Sequence, residues 1–564
     1  MDDLGLVSQM PPLMVVSLGL LAIGFTLTLR LQPLPFWLGI APTLLLIGMV
    51  YGLPTFVEDA PRFAVAYLHA GFTELIADDG TLLPLVDARF NWPLFFVLGA
   101  AVTQIAGIAN ALAMQPWAPV VSTLLYLPPV IVIYRSLTTD NRLIWAAAFF
   151  FVAANWIGQD YYSPQAFNYV LYLTVIAILF RWFRVEGVPA WIRRTVDVVD
   201  RRWPGLRAPM REIEPIPAPN RTFATPSQRA MLVAVLAVLI GASAASHQLT
   251  PFAILAAATA LVVLGRTQLK GLPIITAVIV GLWVSYMTVV FLAGNLPGLL
   301  ADLLAAGQNA SEAVGDRIQG SDAHVFVVQF RLAMTLGFWL LALYGFFRRV
   351  RQGYLDLDAV ALAFVPFGLL ALQSYGGEML LRVYLFSLPF MAFLAAAAFI
   401  PTPARPISAW TTRALAVTAL VLVLALMVTR HGNERADAIT PEETAAATHL
   451  YEIAPPGAHI GAVNSWAPLR FVRYGDVAYT TLDNVFVDAA PAAIAARIDE
   501  PAGCGYLFIS RSQQAAAELY QGVDAAAWRR AEQGLVASGH FEPIFQNRDA
   551  TILLAVPAQE GCRG

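Results

Sequence analysis

The chain has 564 residues, of which 58% are hydrophobic and 13% are charged, and its formal net charge is −3. Soluble proteins carry about 25% charged residues, so this composition excludes a disordered chain, nucleic-acid binding through bulk positive charge and an ordinary cytosolic enzyme. The mean hydropathy is +0.64, and we therefore expect a polytopic membrane protein in contact with the lipid bilayer.

Apolar runs recur along the first 430 residues. A helix needs about 20 apolar residues to cross a bilayer, and each run meets or approaches that length. The stretch 93–113 is also apolar, but it follows Asn91-Trp92 and contains Gln104, so we expect it to lie along or dip into the outer membrane face. The runs that we expect to cross lie at 12–29, 36–53, 117–134, 143–158, 166–183, 230–246, 252–265, 272–293, 332–347, 358–373, 383–400 and 414–429.

The distribution of arginine orients these runs. The segment 184–229 is rich in arginine, and the positive-inside rule predicts that it is cytoplasmic. The loops at 135–142, 266–270, 348–351 and 405–413 are basic too, and placing them inside gives about twelve crossings with both termini outside. The N-terminus is acidic, so we do not expect a cleavable signal peptide. The predominance of arginine is typical of a bacterial source, and we expect the protein in the bacterial plasma membrane.

Two domains follow from this pattern. Residues 1–430 form the predicted transmembrane domain, which includes a long outer loop at 54–117. Residues 431–564 form a predicted small extracytoplasmic α/β domain. The apolar spacing there predicts buried strands at 505–510 and 551–556, and helices at 441–452, 489–498 and 513–535.

The only cysteines of the chain, Cys504 and Cys562, both lie in the C-terminal domain. Outside the membrane a disulfide between them is allowed, and it would tie the end of the chain to the start of a strand. The alternative is two unpaired buried thiols. The sequence contains no metal-binding pattern of cysteine and histidine.

The long outer loop contains the strongest candidate site. It begins with adjacent carboxylates, Glu58 and Asp59, and Arg62 follows. A nearby arginine lowers the pKa of a carboxylate and a like charge raises it, so the pair can supply one ionised base. The alternative is that the two acids only end a helix at the level of the lipid headgroups. The same loop contributes further candidates for substrate binding, namely His69, Asp87 and Arg89.

This organisation resembles the GT-C superfamily, whose members are integral membrane glycosyltransferases that take sugars from polyprenyl-phosphate carriers. The resemblance covers most of the chain, and at the level of residues it consists of Glu58-Asp59 and the helix start at Asn91-Trp92-Pro93. It implies that Asp59 or Glu58 acts as general base toward the acceptor hydroxyl. The family usually begins inside, so the extra leading span of this chain leaves the register of the helices open.

Two further polar groups lie in predicted outer turns. Asp160 precedes Tyr161 and Tyr162, and sugar sites combine carboxylates with aromatic platforms. The resemblance implies that such an acid lines the donor phosphate or holds a divalent metal, whereas an aromatic belt at the membrane interface is the alternative. His247 lies in a short polar turn, where it either contacts phosphate or substrate hydroxyls or caps a helix.

The last group lies at the start of a late span. Glu378 and Arg382 are four residues apart and so share one helix face. Because the guanidinium gives bidentate hydrogen bonds to phosphate, we expect Arg382 to bind the lipid phosphate and Glu378 to orient it, with a structural ion pair as the alternative. Arg331, which opens a span after the predicted outer loop 294–330, is a second phosphate candidate.

These groups together predict a glycosyltransferase that moves a sugar from a polyprenyl-phosphate carrier to a glycan, lipid or protein acceptor at the outer membrane face. A divalent metal is not required, and no nucleic acid is involved. One alternative is a lipid-linked oligosaccharide transporter or flippase, which would place charges inside the spans and repeat its halves. A second alternative is a polysaccharide polymerase or ligase of the O-antigen type. The sequence leaves the sugar, the linkage and the acceptor open.

Overall fold

The computed structural model describes residues 1–185, 191, 194, 198, 201, 225–289, 291–294, 318–371, 378–401, 405–483, 486–499, 504–556 and 562. Most of the arginine-rich segment 184–229, and most of the predicted outer loop 294–330, therefore lie outside the described residues.

The described part of the first 431 residues is helical. Its α-helices are α1 (Pro12–Thr28), α2 (Ile40–Leu46), α3 (Leu53–Val57), α4 (Ala64–Asp79), α5 (Leu94–Ala106), α6 (Ala118–Leu137), α7 (Asn141–Ala154), α8 (Pro164–Trp182), α9 (Pro226–Ser246), α10 (Thr250–Val263), α11 (Leu272–Met287), α12 (Asp322–Arg351), α13 (Leu357–Phe364), α14 (Met379–Ala397) and α15 (Ala409–His431). Short 3-10 or π segments extend or connect them at Gly5–Gln9, Phe36–Gly39, Ile47–Tyr51, Ala88–Asn91, Ala111–Trp117 and Val365–Ala371.

Six of these helical segments are long and apolar enough to cross a membrane. They are Ala111–Leu137, Pro164–Trp182, Pro226–Ser246, Asp322–Arg351, Met379–Ala397 and Ala409–His431. The other predicted runs form apolar helices of 10–17 residues, and the number of about twelve crossings stays a prediction. The predicted bounds are wrong at α7, which ends at Ala154 rather than 158, and at α12, which begins well before 332.

Helix starts are fixed by capping residues that the hydropathy of the chain does not report. The Ser321 hydroxyl accepts a hydrogen bond from the backbone N–H of His324, and this cap extends α12 beyond its apolar run. Thr225 and Gln228 form a capping box at α9, with Pro226 in the first turn. The Ser163 hydroxyl accepts a hydrogen bond from the backbone N–H of Ala166 and so caps α8. These caps set where the loops between the helices begin.

The basic loops meet at one end of the helical bundle. The buried Asp358 carboxylate accepts hydrogen bonds from Arg184 and Arg266, each at 2.5 Å. Arg142 donates to the backbone oxygen of Arg405 at 2.8 Å. These contacts bring together the loops that the positive-inside rule places on the same side of the membrane.

Helix α5, in the ambiguous stretch 93–113, packs along α4. Gln104 donates to the backbone oxygen of Ala77 at 2.8 Å, and Glu74 accepts from the backbone N–H of Ala111 at 2.7 Å. Just beyond α5, the Asn110 side chain donates to the backbone oxygen of Phe471 in the C-terminal domain. The stretch therefore packs beside α4 and the C-terminal domain, and its position along the membrane face stays a prediction.

The C-terminal domain is a five-stranded sheet between two layers of helices. Its elements are α16 (Glu434–Asp437), α17 (Pro441–Ile453), β1 (His459–Ala462), β2 (Ala478–Thr481), α18 (Pro491–Asp499), β3 (Gly505–Ser510), α19 (Arg511–Gln521), α20 (Ala525–Ala537), β4 (Phe541–Gln546) and β5 (Ala550–Ala555). The strand order is β2-β1-β3-β5-β4, in which β1 pairs in parallel with β2 and β3, and β5 pairs antiparallel with β3 and β4. Alternate residues of β3 face opposite layers, because Tyr506 and Phe508 pack with α17 while Leu507 and Ile509 pack with α18 and α20.

Two features of this domain depart from or add to the sequence prediction. The single helix predicted at 513–535 is wrong, because Gly522 adopts a φ of 69° and ends α19, and Asp524 caps α20. Cys504, just before β3, forms a disulfide with Cys562, with 5.4 Å between the Cα atoms. The Tyr506 hydroxyl donates to the backbone oxygen of Cys562, so the end of the chain is held against β3.

Candidate active site

Three segments that are distant in sequence meet where the helical bundle joins the C-terminal domain. They are loop 58–63, loop 155–163 and segment 430–437, and we call their meeting point the junction. An Arg62 guanidinium nitrogen donates to Glu434 at 2.6 Å. Arg430 donates from one nitrogen to both oxygens of Asp160 at 2.9 Å. The junction therefore unites the acidic pair at 58–59 with the aromatic and acidic loop around Asp160.

Loop 58–63 is held from two sides. The backbone N–H of Phe63 donates to the backbone oxygen of Asp437 at 2.8 Å. The Gln115 side chain donates to the backbone oxygen of Arg62 at 3.2 Å and accepts from the backbone N–H of Tyr162 at 2.7 Å. Phe63 has a φ of 67°, a backbone conformation that residues other than glycine rarely adopt. The loop therefore keeps its shape through contacts with other segments.

The two adjacent acids face different surroundings. Asp59 is exposed, whereas Glu58 is half-buried against Glu434 and Arg62. Burial, followed by the neighbouring Glu434 charge, raises the pKa of Glu58 to about 9. At neutral pH Glu58 is therefore protonated. The pair is thus divided into a neutral inner acid and an outer carboxylate open to solvent.

Segment 430–437 supplies the acids that surround Arg62. Burial would raise the pKa of Glu434, but the Arg62 charge and the His431 hydrogen bond lower it below its usual value. Burial and the Glu434 charge raise the pKa of Asp437 to about 7, against the charges of Arg62 and Arg331. The Trp466 side chain hydrogen bonds to Asp437. Around Arg62, Glu434 is therefore the acid with a lowered pKa, whereas Glu58 and Asp437 have raised pKa values and hold protons near neutral pH.

The sequence prediction missed Arg430, Glu434 and Asp437. A usable signal was Arg430 in the last turn of a membrane span, because a charge at that depth needs a partner. Arg430 also lies over the Tyr51 ring, with 4.3 Å from its guanidinium carbon to the ring centroid. No sequence signal identifies Glu434 as the partner of Arg62.

The predicted aromatic platform of loop 155–163 packs inside the protein. Tyr161 stacks on His69 with 5.8 Å between ring centroids and also contacts Phe63. The Tyr162 hydroxyl hydrogen bonds to Thr73, and the Tyr162 backbone oxygen pairs with Nδ1 of His69 at 2.9 Å. Burial, with a smaller effect of the Arg89 charge, lowers the pKa of His69 to about 3, so its ring is neutral. These residues fix loop 155–163 against α4.

Asp160 does not fit a metal site. Both of its oxygens accept hydrogen bonds from Arg430, and a cation on the same carboxylate would meet that charge. Within the parts of the chain that the structure describes, no three His, Cys, Asp or Glu side chains are grouped so that they could hold a metal ion.

Asp87 and Arg89 pair with each other in the turn before α5. The Arg89 guanidinium donates to both Asp87 oxygens at 2.9 Å, and Asp87 also accepts from the Arg89 backbone N–H. The Arg89 guanidinium carbon lies 5.3 Å from the centroid of the Phe72 ring on α4. This pair shapes the loop that connects α4 and α5.

The remaining candidates lie at the starts of α10 and α14. Nδ1 of His247 accepts from the backbone N–H groups of Leu249 and Thr250 at 3.1 Å, so this nitrogen caps α10. Burial, with a smaller effect of the Arg382 charge, lowers the pKa of His247 to about 3. Arg382 donates to Glu378 at 2.7 Å, which is the structural ion pair that the sequence left as the alternative.

Arg331 belongs to the junction, and α14 approaches it from the side. Arg331 donates to the backbone oxygen of Thr429 at 2.8 Å, and its guanidinium carbon lies 5.5 Å from the centroid of the Trp156 ring. The Tyr384 ring lies 5.9 Å from that of Trp156. Tyr384 therefore brings α14, the helix that also carries Arg382, beside loop 155–163.

No family model matches the sequence, and no curated protein matches it. Among solved structures, the chain is similar to the oligosaccharyltransferase of Archaeoglobus fulgidus, with a TM-score of 0.47 and 12% identity over 92% of this chain and 72% of that one. It is also similar to ArnT from Cupriavidus metallidurans bound to undecaprenyl phosphate, with a TM-score of 0.46 and 12% identity over 92% of this chain and 98% of that one. Similarity at this level assigns no catalytic residue to this chain.

Proposed function

We propose that the protein is a membrane glycosyltransferase that transfers a sugar from a polyprenyl-phosphate carrier to an acceptor hydroxyl at the outer membrane face. The acceptor is a hydroxyl of a glycan, a lipid or a protein. The proposal extends the resemblance of the sequence to the GT-C superfamily, and the division of the Glu58–Asp59 pair is the observation that carries it.

The surroundings of the two acids support Asp59 as the general base. A carboxyl group with a pKa near 9 already holds its proton at neutral pH, so Glu58 is not available to accept another. Asp59 is exposed beside it and can meet an acceptor hydroxyl. Two adjacent carboxyl groups with different surroundings, one half-buried against another acid and one exposed, are typical of sites that assign different roles to two acids.

The reaction that we propose needs one base and one cation. The acceptor oxygen attacks the anomeric carbon while its proton passes to the Asp59 carboxylate. The bond from the anomeric carbon to the phosphate oxygen breaks, and the polyprenyl phosphate leaves as an anion. This leaving group requires positive charge rather than a general acid. Arg331, which lies over the Trp156 ring of loop 155–163, and Arg382, on helix α14 beside that loop, are the arginines that we propose for the phosphate.

The test compares Asp59→Asn with Glu58→Gln in purified protein reconstituted in vesicles. Transfer of radiolabelled sugar is followed from a panel of polyprenyl-phosphate hexoses and pentoses to glycan and lipid acceptors. We expect Asp59→Asn to lower kcat by about 100-fold or more, since general bases contribute about 10²–10⁴-fold. Glu58→Gln should keep kcat within a few-fold, because glutamine resembles the protonated acid.

The two variants also give the outcomes that oppose the proposal. Full activity of Asp59→Asn at equal folded protein would refute the base assignment, and a loss confined to Glu58→Gln would move that role to Glu58. Uptake of lipid-linked oligosaccharide into vesicles without any sugar transfer would favour the flippase. Growth of a repeating polymer on the lipid carrier would favour the polymerase.

A further inference from the structure

We propose that Glu434 is a positioning residue that holds loop 58–63, and with it the Asp59 carboxylate, in the reactive geometry. This inference rests on the proposed role of Asp59. Glu434 lies on α16, in the segment that joins the last membrane helix to the C-terminal domain. Through Glu434, this domain would therefore take part in sugar transfer from a distance.

The contact between Glu434 and the loop is short and buried. The 2.6 Å hydrogen bond from Arg62 joins side chains that are 4% and 0% exposed. A second hydrogen bond, from the Phe63 backbone N–H to the backbone oxygen of Asp437, joins the same two segments. Together with the 3.9 Å ion pair between Arg62 and Asp437, these contacts attach the loop to α16.

The loop depends on such contacts for its shape. Phe63 keeps a positive φ although it is not glycine, and no side chain caps the start of α4. Sparsely populated backbone conformations persist when the surrounding structure holds them. Releasing Arg62 from Glu434 would leave its buried guanidinium without its closest acid, and we expect the loop to move.

The other side of the contact is anchored in the C-terminal domain. Arg511, at the start of α19, donates to the backbone oxygens of Arg435 and Ala438. The Arg435 side chain forms an ion pair with Glu518 of α19. Segment 434–438 is therefore fixed to α19, so the position of the domain is transmitted to the loop through Glu434.

The test measures the loop directly and the reaction separately. Hydrogen–deuterium exchange of peptides covering 58–66 is followed in the full-length protein for the wild type, Glu434→Gln and Glu434→Asp. We expect Glu434→Gln to speed the exchange of these peptides by about ten-fold or more. The same variant should lower kcat by about ten- to 100-fold with the donor KM nearly unchanged, because a shift of about 1 Å in a reacting group can cost about 100-fold in rate. Glu434→Asp keeps the charge and should give smaller changes in the same direction.

Asp356→Asn is the matched control, since the Arg349–Asp356 pair is as deeply buried and does not touch the loop. The proposal is overturned if Glu434→Gln and Asp356→Asn change the exchange of peptides 58–66 equally, or if Glu434→Gln leaves this exchange unchanged. It is also overturned if Glu434→Gln speeds the exchange while kcat stays at the wild-type value. Should Glu434→Gln fail to fold, unchanged exchange in Glu434→Asp also overturns it. A wild-type protein that transfers no sugar would contradict the proposed function, whereas the exchange result would still decide whether Glu434 holds the loop.

Discussion

The buried pair of Asp160 and Arg430 gives a sharp prediction of stability. At 2.9 Å the two charges attract each other by about 6 kcal/mol for an effective dielectric constant of about 20. Their side chains are 3% and 2% exposed, so removal from water costs each ion several kcal/mol and offsets most of that attraction. Asp160→Asn removes the attraction but leaves Arg430 buried, with Nε and Nη1 already lacking hydrogen-bond partners. We expect a loss of about 3–5 kcal/mol.

The assay is thermal unfolding of the purified protein in detergent, compared with two further variants. Asp476→Asn breaks the Arg473–Asp476 pair, whose side chains are 30% and 51% exposed, and should cost at most about 1 kcal/mol. Replacing both partners, as Asp160→Asn with Arg430→Met, should recover much of the loss because no buried charge remains. If Asp160→Asn unfolds no earlier than Asp476→Asn, the pair is not a buried structural contact and the reasoning fails.

Two further predictions concern the C-terminal disulfide and the buried histidines. Replacing Cys504 and Cys562 together by alanine should destabilise the C-terminal domain by about 2–5 kcal/mol. Proteolysis of this variant, and of the wild type with and without reductant, checks the prediction. Equal digestion rates would contradict it. In the folded protein the pKa values of His69 and His247 are lowered to about 3. Below about pH 6.5 the unfolded chain therefore takes up protons at these histidines that the folded chain does not. The stability of the fold should consequently fall as the pH drops from about 6.5 toward 3. His247→Asn keeps a capping side chain without a titratable group and should flatten this dependence in thermal unfolding, whereas an unchanged slope would assign the effect to other groups.

The parts of the fold that the sequence predicts are those that bury a continuous apolar surface. Strands β3 and β5 are fully buried along their length and therefore read as unbroken apolar runs. Strands β2 and β4 lie at the two edges of the sheet and are partly exposed, so their composition does not separate them from loops. The break between α19 and α20 depends on one residue, Gly522, which ends α19. Amphipathic spacing alone does not predict this break.

The residues of the candidate site likewise fall into those that the sequence predicts and those that it does not. Glu58, Arg62 and Asp160 stand out in the sequence because charges are scarce near the spans, and the structure brings all three to the junction. Their partners do not follow from the local sequence pattern, because the paired residues lie several hundred positions apart. The same limit applies to His247, whose capping role depends on the backbone N–H groups that follow it.

Pairing of charges at the ends of the spans predicts more of the junction than the local sequence pattern does. Arg382 and Arg430 both lie near the end of a span, where an arginine is costly unless it is paired. Asp160 is an acid at a predicted outer turn, and a buried arginine at the same membrane face requires such an acid. Matching each arginine near the outer ends of spans with an available acid would therefore have reassigned Asp160 from metal or phosphate chemistry to the structure of the junction. That reassignment leaves Asp59, which faces solvent, as the acid of the junction best placed to meet a substrate.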